Sequence, residues 1–142
     1  SCWHGLAVAG VMVAESDNIT DIAGIDFAAR LLPVRVLGKC GGDISDVVDA
    51  VRWAAGLRVA GVPDNPDPAK VINLSLSGAG ACSFEEQAAI NDAVNAGAVV
   101  VVAAGNEATD VAGISPANCD KVVTVGAVRA IEEQLGDKSG EE

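Results

Sequence analysis

The segment 71-VINLSLSGAGACSFEEQAAINDAVNAGAVVVVAAGNE-107 reads as strand, glycine-rich loop, helix and strand in direct succession. Its first part, in "KVINLSL", is an apolar run bounded by turn residues, the pattern of a strand buried on both faces. Ser83 with Glu86 three residues on is a capping box, so a helix opens there. Gly97 can supply the left-handed residue that ends it. "AVVVVAAG" then forms a second buried strand. Strands of continuous apolar character joined through a helix build parallel sheets, and ligands of such sheets bind beyond the carboxyl ends of the strands.

The alternation continues on both sides. "KVVTVGAV" (121–128) is a further strand, reached through the long polar loop "NEATDVAGISPANCD" (106–120). Upstream, "DISDVVDAVRWAAGL" (43–57) places Ile44, Val47, Val48, Val51 and Ala55 at helical spacing, with Asp43 or Ser45 as N-cap. Between this helix and "KVINLSL", three prolines in "RVAGVPDNPDPAK" mark a surface loop. "ARLLPVRVLG" (29–38) is expected as a strand leading into the flexible "GKCGGD". Residues 4–15 read as a buried, tightly packed helix, broken by "SDNITD". The expectation is an α/β fold, a parallel sheet with helices on both faces. The strand exits to watch are "GKCGG", "LSGAG" and "AAGNE".

With 142 residues, half of them apolar, the chain fits one domain with a substantial core. A net charge of −11 argues against nucleic acid or an anionic membrane as partner. "AGAVVVVAAG" is too short to cross a bilayer, so a soluble chain is expected. The single methionine is Met12, so residue 1 is not a translation start and sequence upstream is expected. Four widely spaced cysteines with one histidine make structural zinc a poor fit. They suit either two disulfides, and hence an extracytoplasmic home, or four buried thiols. The acidic tail "RAIEEQLGDKSGEE" (129–142) carries no strand pattern and reads as a short helix or a disordered end, apart from a domain spanning 1–128.

Several of these segments, in order, resemble the subtilisin-like serine proteases (subtilases). "WHGLAVAG" is similar to the family's HGTHVAG block and "DNITDIAG" to its NNxxGVAG turn. "LLPVRVLGKCGGDISDVVDAVRWAA" resembles the next strand, substrate loop and helix, and "VINLSLSG" the INMSLGG segment. "AVVVVAAGNE" and "VVTVGAV" look like the strand ending in AAGN and the later VGAT strand. The resemblance implies part of a three-layer subtilisin-like fold. "VLGKCGG" and "SPANC" look closest to secreted bacterial members that carry disulfides, which implies the pairs Cys82–Cys119 and Cys2–Cys40 and an extracellular or periplasmic location.

The resemblance also implies roles. Amide hydrolysis of this kind needs a nucleophilic hydroxyl, a base, a carboxylate orienting the base, and donors for the oxyanion. His4 matches the general base; without the match it would read as a solvated or packed histidine. Asn106 matches the asparagine whose side-chain amide stabilises the oxyanion, against the bland reading of a turn residue after Gly105. An extended peptide would lie between Gly41 and Gly42 on one side and Ser75, Leu76, Ser77 and Gly78 on the other. Gly105 would floor the first pocket and Ile44 face a more distal one. No cofactor is required. Calcium is the one ion implied, with Asp17, Asn18 and Asp21 as oxygen donors, and a solvated turn as the alternative.

Two blocks of the family pattern do not occur in these residues: no serine stands in a Gly-Thr-Ser context, and no Asp-Ser-Gly or Asp-Thr-Gly is found. Leu6 and Ala7 stand where Thr-His is usual, Ser77 where glycine is, and Asp21 likewise. The expectation is the central portion of a secreted serine endopeptidase, inactive as these residues alone. The alternatives are a degenerate domain that binds extended peptides without cutting them, and a domain stable only by self-association.

Overall fold

Ser83 begins the central helix as the capping pattern requires: its hydroxyl accepts from the Glu86 amide at 3.2 Å, and the Glu86 carboxylate accepts from the Ser83 amide at 2.9 Å. The computed structural model describes residues 3–19, 22–39 and 41–128. In chain order the elements are α1 (His4–Val13), α2 (Ile44–Ala54), β1 (Val71–Leu74), β2 (Gly78–Ala79), α3 (Phe84–Asn95), β3 (Val99–Ala103), a short 3-10 turn (Val111–Gly113), β4 (Ile114–Ser115) and β5 (Val122–Val125). Gly97 closes α3 with a φ of 93°. Among the described residues no helix is long and apolar enough to cross a membrane.

The strands β1, β3 and β5 form a parallel sheet in that order, with Val71 opposite Val99 and Val100 opposite Val122. Because side chains alternate across a strand, Ile72, Val100 and Val102 share one face. Helices α2 and α3 pack on each other, and with this face they enclose the core through Val47, Val48, Val51, Ala89, Ile90 and Ala93. Val100 and Val102 are its largest fully buried side chains, each contributing about 1.5–3 kcal/mol by its removal from water. The other face, with Val71, Val99, Val123 and Val125, is about half exposed among the described residues. The α/β class and the parallel sheet are those expected.

Two expectations are corrected. Helix α1 forms, but none of its residues is buried, and Leu6 and Val11 remain exposed. Its apolar residues lie all around the helix, so no single stripe directs it into a core. Instead residues 24–26 fold back along its end: the Gly24, Ile25 and Asp26 amides donate to Ala14, Val11 and Met12 carbonyls at 2.8–3.0 Å. Gly24 permits this approach, since a Cβ there would collide with the backbone of Val13 and Ala14. Among the described residues segment 29–38 forms no strand; one bridge joins Gly38 to Gly41, and Leu31, Leu32, Val34 and Leu37 stay exposed. Apolar composition signals burial, but a strand exists only where a neighbour completes its hydrogen bonds, and the described residues provide none there.

The proline-rich loop after α2 is pinned from within. Asn65, buried, donates to the Trp53 and Ala54 carbonyls at 3.1 and 3.2 Å, while the Trp53 indole donates to the Pro63 carbonyl at 2.7 Å. The long loop after β3 contains β4, which pairs antiparallel with β2, Gly78 opposite Ser115 and Ala79 opposite Ile114. Cys82 and Cys119 are joined by a disulfide, with Cα atoms 5.2 Å apart. The pair Cys2–Cys40, Asp21 and the tail 129–142 lie outside the described residues or include residues that do.

Candidate active site

Parallel strands bring their carboxyl ends to one edge, so the exits of β1 and β3 become neighbours once Leu74 stands opposite Val102. His4, at the start of α1, reaches that edge: its Nε2 lies 2.7 Å from the Ser75 carbonyl oxygen. A carbonyl only accepts, so Nε2 carries the proton in this arrangement. The ring is exposed, and its contact ties α1 to the exit of β1.

Downstream of Ser75, Leu76 is half-buried against the core, while Ser77 and Gly78 are exposed. Gly78 enters the β2–β4 ribbon. From Ser75 to Gly78 the side chains are small or absent at three of four positions, with the Ser75 carbonyl taken by His4 and Gly78 paired with Ser115.

At the exit of β3 the Ala104 amide donates to the Val125 carbonyl at 2.9 Å, and Gly105 turns the chain with a φ of 93°. A Cβ at Gly105 would collide with the Glu107 carboxylate and lie 3.4 Å from Ile114 Cγ2. Asn106 follows, its backbone amide donating to Glu107 Oε2 at 2.7 Å. No hydrogen bond engages the Asn106 side-chain amide among the described residues, and the residue is exposed, so its two N–H groups are free to donate. Glu107 was not apparent from the sequence as part of this turn; a carboxylate beside an asparagine carries no periodic signal.

Gly41, Gly42 and Ile44 stand apart from this cluster in the hydrogen-bond network. Gly38 donates to the Gly41 carbonyl at 2.7 Å, with Gly41 at a φ of 105°. A Cβ at Gly42 would strike the Val36 carbonyl oxygen. Ile44, the first residue of α2, is half exposed.

Glu15, Ser16, Asp17, Asn18, Ile19, Ile22 and Ala23 line a cavity of about 250 Å³. Asp17 and Ile19 both adopt positive φ, 61° and 62°. Among the described residues no group of three or more His, Cys, Asp or Glu side chains converges as a metal site. Calcium takes six to eight oxygens. Asp17 and Asn18 alone fall short of that set.

Sequence reasoning identified Glu86 as a helix cap but not its second contact, 2.6 Å from the Ser115 hydroxyl. It also missed Gln87, whose amide donates to the Asp120 carbonyl at 3.1 Å while its oxygen accepts from the Asp120 amide at 2.7 Å. Asn118 binds the Gly80 and Ala112 carbonyls at 3.0 and 2.9 Å.

The chain is similar to several known proteases. An extracellular protease of Xanthomonas campestris pv. campestris is 54% identical over 127 residues, which is 89% of this chain and 22% of that protein. An extracellular basic protease of Dichelobacter nodosus is 48% identical over 127 residues, 89% of this chain and 21% of the relative. The chain therefore spans about a fifth of the length of these curated relatives. A solved protease structure from Pseudoalteromonas arctica superposes with a TM-score of 0.84 at 50% identity, covering 85% of this chain and 36% of that one. The model of the subtilase family matches residues 1–141, and the chain, with its parallel sheet and protease relatives, belongs to the subtilase family.

Proposed function

We propose that these residues supply the general base, the oxyanion donor and the peptide-binding edges of a secreted serine endopeptidase. One observation carries the reading: His4 reaches the exit of β1 through Ser75, and Asn106, its side-chain amide uncommitted, follows the exit of the adjoining strand β3. In this reading His4 takes the proton from a serine hydroxyl as that oxygen attacks the peptide carbonyl, then returns it to the leaving amine. Before it can accept, Nε2 must leave the Ser75 carbonyl or lose its proton. The Asn106 amide donates to the carbonyl oxygen as negative charge develops there. The peptide lies along Ser75–Gly78, with Gly41 and Gly42 as the facing edge, Gly105 under the first side chain and Ile44 near a distal one.

The nucleophile and the carboxylate that orients His4 are not among these 142 residues. Hydrolysis is accordingly a property of the assembled enzyme. The disulfide and the extracellular relatives support action outside the cytoplasm. Calcium at the 15–23 turn would require oxygens beyond Asp17 and Asn18.

The test is a titration of the 142-residue chain with an extended peptide, followed by NMR of His4 and Asn106. Saturable binding that shifts the His4 ring and Asn106 side-chain resonances, without cleavage or labelling by a fluorophosphonate, is expected. Absence of binding at millimolar peptide would sink the groove. A second reading is peptide binding without chemistry. It is separated from the first by assaying the product of the complete gene: hydrolysis abolished by His4→Ala supports the protease, and no hydrolysis supports the binder.

A further inference from the structure

Glu86 is buried to 7% exposure, and its two carboxylate oxygens face different parts of the chain. Oε2 accepts from the Ser83 amide at 2.9 Å, completing the helix cap. Oε1 accepts from the Ser115 hydroxyl at 2.6 Å. Capping requires only the first contact. The second joins α3 to β4, on the other arm of the β2–β4 ribbon.

We propose that Glu86 is a positioning residue for the peptide-binding edge and the pocket beneath it, acting through Ser115. The inference rests on the groove assigned above to Ser75–Gly78 and Gly105. Ser83 lies on the arm that leaves β2, and Ser115 lies in β4, so one rigid carboxylate sets the spacing of both arms. Ser115 is the ladder partner of Gly78, the last residue of the groove edge. Its neighbour Ile114, itself buried, packs toward Gly105, immediately before Asn106. A shift of Ser115 therefore moves one wall through Gly78 and the floor through Ile114. The other tethers bridge the same segments at other residues: Gln87 and the disulfide hold residues 119 and 120, Asn118 holds Gly80 and Ala112, and the Gly80 amide donates to the Gly113 carbonyl at 2.8 Å, so none of them grips the Ser115 side chain.

Three variants separate positioning from simple support. Ser115→Ala removes the positioning contact and leaves the capping box. Ser115→Thr retains a hydroxyl, and Ser83→Ala weakens the cap while leaving the Glu86–Ser115 contact. Amide exchange and NMR shifts are read at Gly78, Gly105 and Asn106, with Val47–Val51 of α2 as reference. Ser115→Ala should speed exchange at Gly78 and Gly105 by about tenfold or more with α2 unchanged, whereas Ser115→Thr restores protection. Ser83→Ala should lower the melting temperature without moving these sites. In peptide titrations Ser115→Ala should weaken binding roughly fivefold and blunt the discrimination between large and small first-pocket side chains. Unchanged exchange in Ser115→Ala, or equal effects from Ser83→Ala, overturns the proposal. If the parent chain binds no peptide, the groove reading fails, while the exchange data still decide whether Glu86 sets the ribbon.

Discussion

Replacing Cys82 and Cys119 together by alanine, with Cys2 and Cys40 left in place, tests how the site-bearing loops are held. The bond closes a sequence separation of 37 residues, for which the chain-entropy relation gives about 4 kcal/mol at room temperature. Domains of this size are stable by only about 5–15 kcal/mol, so the loss should be a large share of the total. Urea unfolding followed by far-UV circular dichroism measures it directly. The midpoint should fall, and the slope against urea should rise because the unfolded chain expands once released. The folded ribbon should change less, because Glu86, Gln87 and Asn118 still bridge the same segments. A loss below about 1 kcal/mol with an unchanged slope would refute the reasoning, since the chain-entropy model then has no purchase here.

Asn65→Ala removes the side-chain donor from the Trp53 and Ala54 carbonyls, which keep the Gly56 and Ala69 amides, and should cost about 0.5–1.5 kcal/mol in the same urea assay. Gly24→Ala forces a Cβ into the Val13–Ala14 backbone; a loss of roughly 1–3 kcal/mol and faster exchange of the 24–26 amides are expected, and unchanged exchange would contradict the fold-back. In the complete protease, Asn106→Ala should lower kcat roughly 10²–10³-fold with little change in KM, a magnitude that itself comes from subtilisin, and a normal kcat would remove Asn106 from the mechanism. Val99→Thr with Val123→Thr reduces the exposed apolar face of the sheet, so sedimentation of the isolated chain should show less self-association than the parent; identical profiles would place any association elsewhere.

Legibility followed the range of the interaction. The Ser83–Glu86 cap, the Gly97 terminus and the strands at 71, 99 and 122 are local patterns, and each forms where its residues predict. Strand character at 29–38 was misread because aliphatic density there looks the same whether or not a neighbouring strand supplies hydrogen bonds. The β2–β4 ribbon is two residues long, too short for alternation to show. Contacts such as Glu86–Ser115 and Gln87–Asp120 join residues far apart in the chain, and polar residues at such spacing have no signature. Within the candidate site, His4, Ser75 and Asn106 were assigned from ordered family blocks, and the His4–Ser75 hydrogen bond joins two of them. The packing of Ile114 and Glu107 around Gly105 was not, because it depends on how the loop closes.

The unburied state of α1 gives its first residue a particular status. Among the described residues, the His4–Ser75 bond is the hydrogen bond that fastens this helix to the sheet. Such a bond contributes about 1 kcal/mol net, or about five molecules with the bond made for each with it open. A base delivered in this way is governed by occupancy as much as by proton affinity. With the bond made, Nε2 is committed to the Ser75 carbonyl, so turnover of an assembled enzyme would scale with the fraction in which α1 stays seated while that bond is open. Any contact that seats α1 without using Nε2 would raise that fraction without touching a reacting atom.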